Sequence, residues 1–218
     1  EEDQQLVRDY TSSLIDKVSA TVGRAIFDLT PAELGWGSGM TGFAVNRRTN
    51  KEAEVPPYSP KRMVNGPSDH HVPVLRISSH DRVKAIIFGY ACHATTLDYM
   101  QWCGDYPGYA MQQLEDEFPG ATAMFWAGCG ADQNPLPRRT GDPDAKTEEV
   151  HRVALARKYG DLLATEVMAV MGSSIAPIEG KLNLRYDEIE LEYDKIPTAE
   201  EVEAQLSSTN KYEAGRAK

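Results

Sequence analysis

Val83-Lys84-Ala85-Ile86-Ile87-Phe88-Gly89-Tyr90-Ala91-Cys92-His93 decides how this chain is read. Residues 83–91 form a nearly unbroken apolar run, far too short to span a bilayer, and read as a central strand covered on both faces. The run delivers His93, which is followed by Ala94, Thr95 and Thr96 rather than by a packed helix. In α/β folds the ends of buried strands hold ligands, because a rigid sheet aims side chains into space that loops leave open. Neutral imidazole in that position suits zinc, with its other ring nitrogen fixed by a hydrogen-bond acceptor. The competing reading is a core histidine satisfied by backbone.

Working outward, Val72–Ile77 reads as the preceding strand, across a polar turn at Ser79-His80-Asp81. Tyr106–Phe118 has a helical pattern closed by Pro119-Gly120, Ala121–Ala127 is another buried strand, and Thr147–Met171 is the strongest helix, with Leu155, Tyr159, Leu163 and Val167 on one face. This order predicts an α/β fold, a central and largely buried sheet flanked by helices. Further out, Leu6, Tyr10, Leu14, Val18 and Val22 make an apolar helical stripe. Thr30-Pro31-Ala32-Glu33 reads as a capping box opening a short helical turn. Gly35, Gly37, Gly39 and Gly42 suggest a loop leading to a short strand near 43–45, and 46–69 a long irregular connection. Leu182–Tyr193 alternates like a half-exposed strand, and Thr198-Ala199-Glu200-Glu201 is a second capping box. The chain starts without Met and stops within Tyr212–Lys218, a stretch of helical composition, so residues 1–218 are expected to be part of one larger catalytic domain, truncated at both ends.

A second strand end carries Gly128-Cys129-Gly130-Ala131-Asp132-Gln133-Asn134-Pro135. Two glycines permit a sharp turn, and three polar side chains follow at once, either aimed into a pocket or spent on an Asx-rich turn. A dinucleotide fingerprint fits poorly, since only one Gly-x-Gly is present and Pro135 interrupts. Asp69-His70-His71, His80 and His151 read as solvated, and Cys92, next to His93 on a strand, should point into the core. The formal net charge of −10 and the absence of a basic block argue against nucleic acid as partner, and Arg47-Arg48 and Arg138-Arg139 read as solvated turns. Three cysteines make no disulfide framework and leave the redox compartment open.

Five segments, in order and at compatible spacing, resemble the catalytic domain of neutral (alkaline, non-lysosomal) ceramidases. They are Val45-Asn46-Arg47-Arg48; His71-Val72-Pro73-Val74-Leu75; Tyr90-Ala91-Cys92-His93 with Thr95-Thr96-Leu97; Gly104-Asp105 with Gly108-Tyr109-Ala110; and Asp132-Gln133-Asn134-Pro135. The resemblance implies a zinc-dependent hydrolase of N-acyl amides, ceramide being the default substrate. In that reading His93 is one of two histidine ligands, the other ligands come from the rest of a full-length chain, and Arg47 lines the active site. The setting would be secreted, periplasmic or membrane-associated, with peripheral membrane contact.

The family's active-site serine is replaced here by Asn134, which excludes a serine nucleophile but leaves room for zinc-activated water. Asn134 would then contact the reacting carbonyl, beside Asp132, and Thr95, Thr96, Asp105 and Gln133 would bind substrate or shape the loops around it. Two other hypotheses stand beside this one: a non-catalytic relative that binds a lipid or glycan, and a cysteine hydrolase using Cys129.

Overall fold

β4 (Arg82–Tyr90), the strand singled out above, lies inside a five-stranded mixed sheet of order β5-β4-β3-β1-β7, with β1 Glu33–Met40, β3 His71–Ser79, β5 Thr122–Ala127 and β7 Ala176–Ile178. β4 and β5 pair in parallel and the other neighbours pair antiparallel. A two-stranded antiparallel ribbon joins β2 (Ala44–Asn46) to β6 (Gln133–Pro135). The helices are α1 (Glu2–Phe27), α2 (Asp105–Glu117), α3 (Ala145–Gly172), α4 (Ala199–Leu206) and α5 (Lys211–Arg216), so the protein is of the α/β class. The computed structural model describes residues 2–139, 141–173, 175–193 and 195–217, in two units, Glu1–Glu179 and Gly180–Lys218. Glu1 and Lys218, on which the expectation of truncated ends rests, lie outside the described residues.

Alternate strand residues face α2 and α3. Val72, Val74, Ile86, Phe88, Tyr90 and Ala123 are buried there against Tyr106, Ala110, Leu114, Tyr159, Leu163 and Val167. The opposite face is different: the register aligns Trp36, Leu75, Ile87 and Met124 in one row across four strands. Trp36 is 47% exposed and Met124 40%. On that face β4 itself presents Ala85 and Gly89, both buried, and Ile87, half-buried, so among the described residues the exposure falls on its neighbours β1 and β5 more than on β4.

Three expectations are corrected. Thr30–Ala32 forms no helix, because pairing with β3 recruits Glu33 into β1 while Ser79 Oγ donates to Pro31 O (2.8 Å). The glycines of 35–39 lie within β1 rather than in a loop. The end of α3 crosses so close that a Cβ on Gly37 would sit 2.6 Å from Val170 Cγ1. Leu182–Tyr193 forms no strand; it meets no pairing partner among the described residues, and its Leu182, Leu184, Tyr186, Ile189, Leu191 and Tyr193 are exposed. α1 forms as expected, but Leu6, Tyr10, Leu14, Val18 and Val22 remain exposed. The capping box at α4 is complete, with Thr198 Oγ1 accepting from Glu201 N and Glu201 Oε2 from Thr198 N.

Candidate active site at the ends of β4 and β5

Because β4 and β5 run in parallel, with Tyr90 opposite Ala127, their carboxyl ends open on the same side of the sheet. Gly128 N donates to Tyr90 O (3.1 Å), and the 128–130 turn then packs on the continuation of β4. A Cβ on Gly130 would stand 2.6 Å from Cys92 N, so only glycine lets the two segments approach this closely. Beyond the turn, His93 N donates to Gln133 O (3.0 Å).

A cavity of about 630 Å³ lies here, lined by Arg48, His93, Cys129 and Asp132 with the small residues Ala94, Ala127, Gly128, Gly130 and Ala131 and with Phe125. The β2–β6 ribbon brings the Asn46–Arg48 turn beside it. Arg47 N donates to Asp132 O (2.7 Å), Arg47 Nε to Ala131 O (3.1 Å), and Asn46 Nδ2 to Asp132 Oδ2 (3.1 Å). His93 Nε2 also reaches Ala131 O, at 3.3 Å. A carbonyl only accepts, so this contact makes Nε2 the protonated nitrogen, and in the neutral ring the lone pair is on Nδ1. His93 thus lines the cavity beside Gly128-Cys129-Gly130 instead of packing among aliphatic side chains.

The loop carrying His93 is held by polar groups distant in sequence. Arg138 Nη1 reaches Thr95 O (3.3 Å) and Thr95 Oγ1 (3.4 Å), while its Nη2 pairs with Glu52 Oε2 at 2.8 Å. Burial pushes the Glu52 carboxyl up, but the hydrogen bonds and charge of Arg138 outweigh it and leave the group below its ordinary value. The buried Arg152 donates to Thr96 O through Nε (3.1 Å) and Nη2 (2.7 Å), and to Asp98 Oδ1 through Nη1 (2.5 Å). The Arg152 hydrogen bond holds the Asp98 carboxyl below its usual range, with Arg139 adding to the effect. Asp105 takes a left-handed backbone conformation (φ 50°), which lets its carboxylate accept from both Leu97 N (2.8 Å) and Tyr106 N (2.7 Å).

These positions sort the candidate residues. His93 and Asp132 line the cavity; Arg47 lies at its edge through Ala131, and its neighbour Arg48 is the arginine on the wall. Thr95, Thr96 and Asp105 fix the loop from behind. Gln133 is buried, with Oε1 accepting from Asp69 N (2.9 Å), and Asn134 is buried in β6 opposite Val45, away from the cavity wall. His70 is half-buried, its Nε2 on Ala44 O (2.9 Å), so it is not wholly a solvated residue.

Sequence reading missed Arg48, Arg138 and Arg152. Their partners are supplied by the fold: Glu52 lies 86 residues from Arg138, and the Thr96 carbonyl 56 from Arg152. Among the cysteines, burial pushes the Cys92 thiol well up, which removes it as a nucleophile. Cys129 lines the cavity together with His93, but no hydrogen bond joins the two among the described residues.

The described residues contain no group of three or more His, Cys, Asp or Glu side chains able to hold a metal ion. His93 Nδ1 offers one donor, and a zinc site does not fit on the described residues alone.

No known family profile matches the chain, and no curated protein sequence does. Solved structures do match. Neutral ceramidase from Pseudomonas aeruginosa superposes with a TM-score of 0.60 at 18% identity, over 78% of this chain and 27% of that one. A ceramidase complexed with C2 superposes with a TM-score of 0.57 at 20% identity, over 73% of this chain and 25% of that one. The chain therefore shares the fold of part of a ceramidase and spans about a quarter of the length of these two proteins.

Proposed function

We propose that this chain forms one wall of the active site of a zinc-dependent hydrolase of N-acyl amides, with a ceramide-like lipid as substrate. The observation that carries the reading is His93, held at a strand end with Nδ1 available in a cavity shared with Arg48 and Asp132. The fold it shares with part of a ceramidase supports the substrate class. The further zinc ligands are assigned to polypeptide beyond these 218 residues, in a larger catalytic domain. A secreted, periplasmic or membrane-associated setting belongs to the same proposal; among the described residues no helix is long and apolar enough to cross a membrane.

In the reaction, water oxygen adds to the amide carbonyl carbon, the C–N bond breaks, and a carboxylate and an ammonium leave. The developing oxyanion calls for positive charge or donors, which Arg48 supplies on the wall. Asp132, steadied by Asn46, orients polar groups of the substrate, and Arg138 and Arg152 hold the loop that carries His93. Contact with the reacting carbonyl is assigned to Arg48 in place of Asn134, which does not line the cavity.

The test is hydrolysis of an N-octanoyl amide of an amino alcohol by the full natural chain. Arg48→Ala is expected to lower kcat/KM by roughly 100-fold, the scale of one lost oxyanion donor, and His93→Ala by more. Undiminished turnover in His93→Ala overturns the reading. A second reading rests on Cys129, which lines the same cavity: a cysteine hydrolase, inactivated by iodoacetamide and indifferent to chelators. Binding of the amide without turnover by either route identifies a non-catalytic relative.

A further inference from the structure

Asn46 is almost fully buried, at 4% exposed, and both ends of its side-chain amide are in use. Oδ1 accepts from Arg48 N (2.9 Å) and Thr49 N (3.2 Å). Nδ2 donates to Pro67 O (3.0 Å) and to Asp132 Oδ2 (3.1 Å). The chain passes close over this amide: Gly66 has φ 80°, and a Cβ there would stand 3.2 Å from Asn46 Cγ. The Oδ1 contacts close an Asx turn, which an aspartate would close as well. The Nδ2 contacts are different, because both partners are acceptors and one is a carboxylate. Position 46 therefore calls for an amide, and a second carboxylate there would repel Asp132.

Two groups of the cavity wall are thus registered on one buried side chain, Arg48 through its backbone nitrogen and Asp132 through its carboxylate. Asp132 is held by Oδ2, and its Oδ1 has no hydrogen bond among the described residues. A carboxylate oxygen left open on a cavity wall takes a donor from the ligand. The acyl chain of an N-acyl amide carries none, so the donor lies on the amine side. We infer that Asn46 is a positioning residue, which anchors Asp132 so that Oδ1 accepts from a hydroxyl on the amine side of the substrate. The identity of the ligand rests on the amide-hydrolase reading; the anchoring rests on the Asn46–Asp132 contact.

The test compares two sulfonamides that resist hydrolysis, N-(2-hydroxyethyl)octanesulfonamide and N-propyloctanesulfonamide, in which a hydroxyl is set against a methyl. Their dissociation constants for the full natural chain are measured by calorimetry. The hydroxyl compound is expected to bind about tenfold tighter, the scale of one hydrogen bond to a charged acceptor. Asn46→Asp keeps the turn oxygen but removes the donor to Asp132, and Asp132→Ala removes the acceptor; each should abolish the preference. Equal affinities in the natural chain, no binding of either compound, or a preference that either variant leaves unchanged overturns the assignment.

A second measurement needs no ligand. Asn46→Asp should lower the urea midpoint, and the exchange Asn46→Asp/Asp132→Asn should recover part of the loss, since a donor and an acceptor again face each other. A role confined to the Asx turn gives no recovery, because the turn accepts through the same oxygen in both variants, and that result overturns the anchoring.

The two readings fail separately. Hydrolysis that depends on His93, with no preference for the hydroxyl compound, overturns the positioning role alone. A preference that obeys these variants in a protein with no hydrolytic activity overturns the hydrolase reading alone.

Discussion

Residues 91–104 and 180–193 are both irregular and both mix apolar with polar side chains, yet their structures differ sharply. The first is tied down by Arg138, Arg152, Arg139 and Asp105, each reaching it from another element. In the second, the hydrogen bonds of its side chains are short-range, such as Arg185 Nη2 to Asp187 and Tyr186 OH to Glu188. Its apolar side chains are exposed: Leu184 is 89% accessible. Irregular backbone is thus fixed by polar partners that the fold brings from far away, and apolar content by itself does not fix it. That difference is what the proposed role of His93 relies on.

The largest expected effect is at Arg152. Replacement by Met leaves the buried Thr96 residue without its two guanidinium donors, and should cost about 2–4 kcal/mol in urea unfolding, since unsatisfied buried acceptors are expensive. A cost near zero breaks the contrast between the two segments. Next is the Glu52–Arg138 pair, where Glu52→Gln should cost about 1–2 kcal/mol.

That pair also predicts a pH dependence. The Glu52 carboxyl titrates lower folded than unfolded, so the folded state binds fewer protons there. Its contribution is complete above the ordinary value of 4.5 and is lost as pH falls through the lowered folded value. Glu52→Gln should flatten the stability profile on that acid limb, as followed by urea midpoints between neutral pH and the acid range; an unchanged slope contradicts the assignment.

Amide hydrogen exchange sharpens the comparison further. Leu97 N, bonded to the Asp105 carboxylate, should exchange far more slowly than the amides of 182–193, and Asp105→Ala should abolish that protection. The smallest effect belongs to the second segment: Leu184→Ser should change stability by less than about 0.5 kcal/mol, because nothing is uncovered.

Much of this architecture was legible in the chain itself. The β4 run, the α2 and α3 patterns and the β5 run each lie within a few residues of the observed elements, because burial against a helix face imposes its period locally. The cavity at His93 and Gly128–Gly130 was legible for the same reason, since strand ends follow from strands. What failed were features decided by partners. Gly35–Gly39 read as loop until α3 is seen crossing above them, and Leu182–Tyr193 has a strand's alternation without a strand beside it. Arg48, Arg138 and Arg152 carried no local signal distinguishing them from solvated arginines. The α1 stripe and the Trp36–Met124 row show the reverse case, apolar patterns that the described contacts leave uncovered.

The claim that His93 donates Nδ1 to zinc is tested most directly by metal content. Zinc would be counted per chain by mass spectrometry in the full natural protein, in His93→Ala and in a His70→Ala/His71→Ala control. The account predicts one zinc in the natural protein and in the control, and a large loss in His93→Ala. Zinc retained in full by His93→Ala would contradict it.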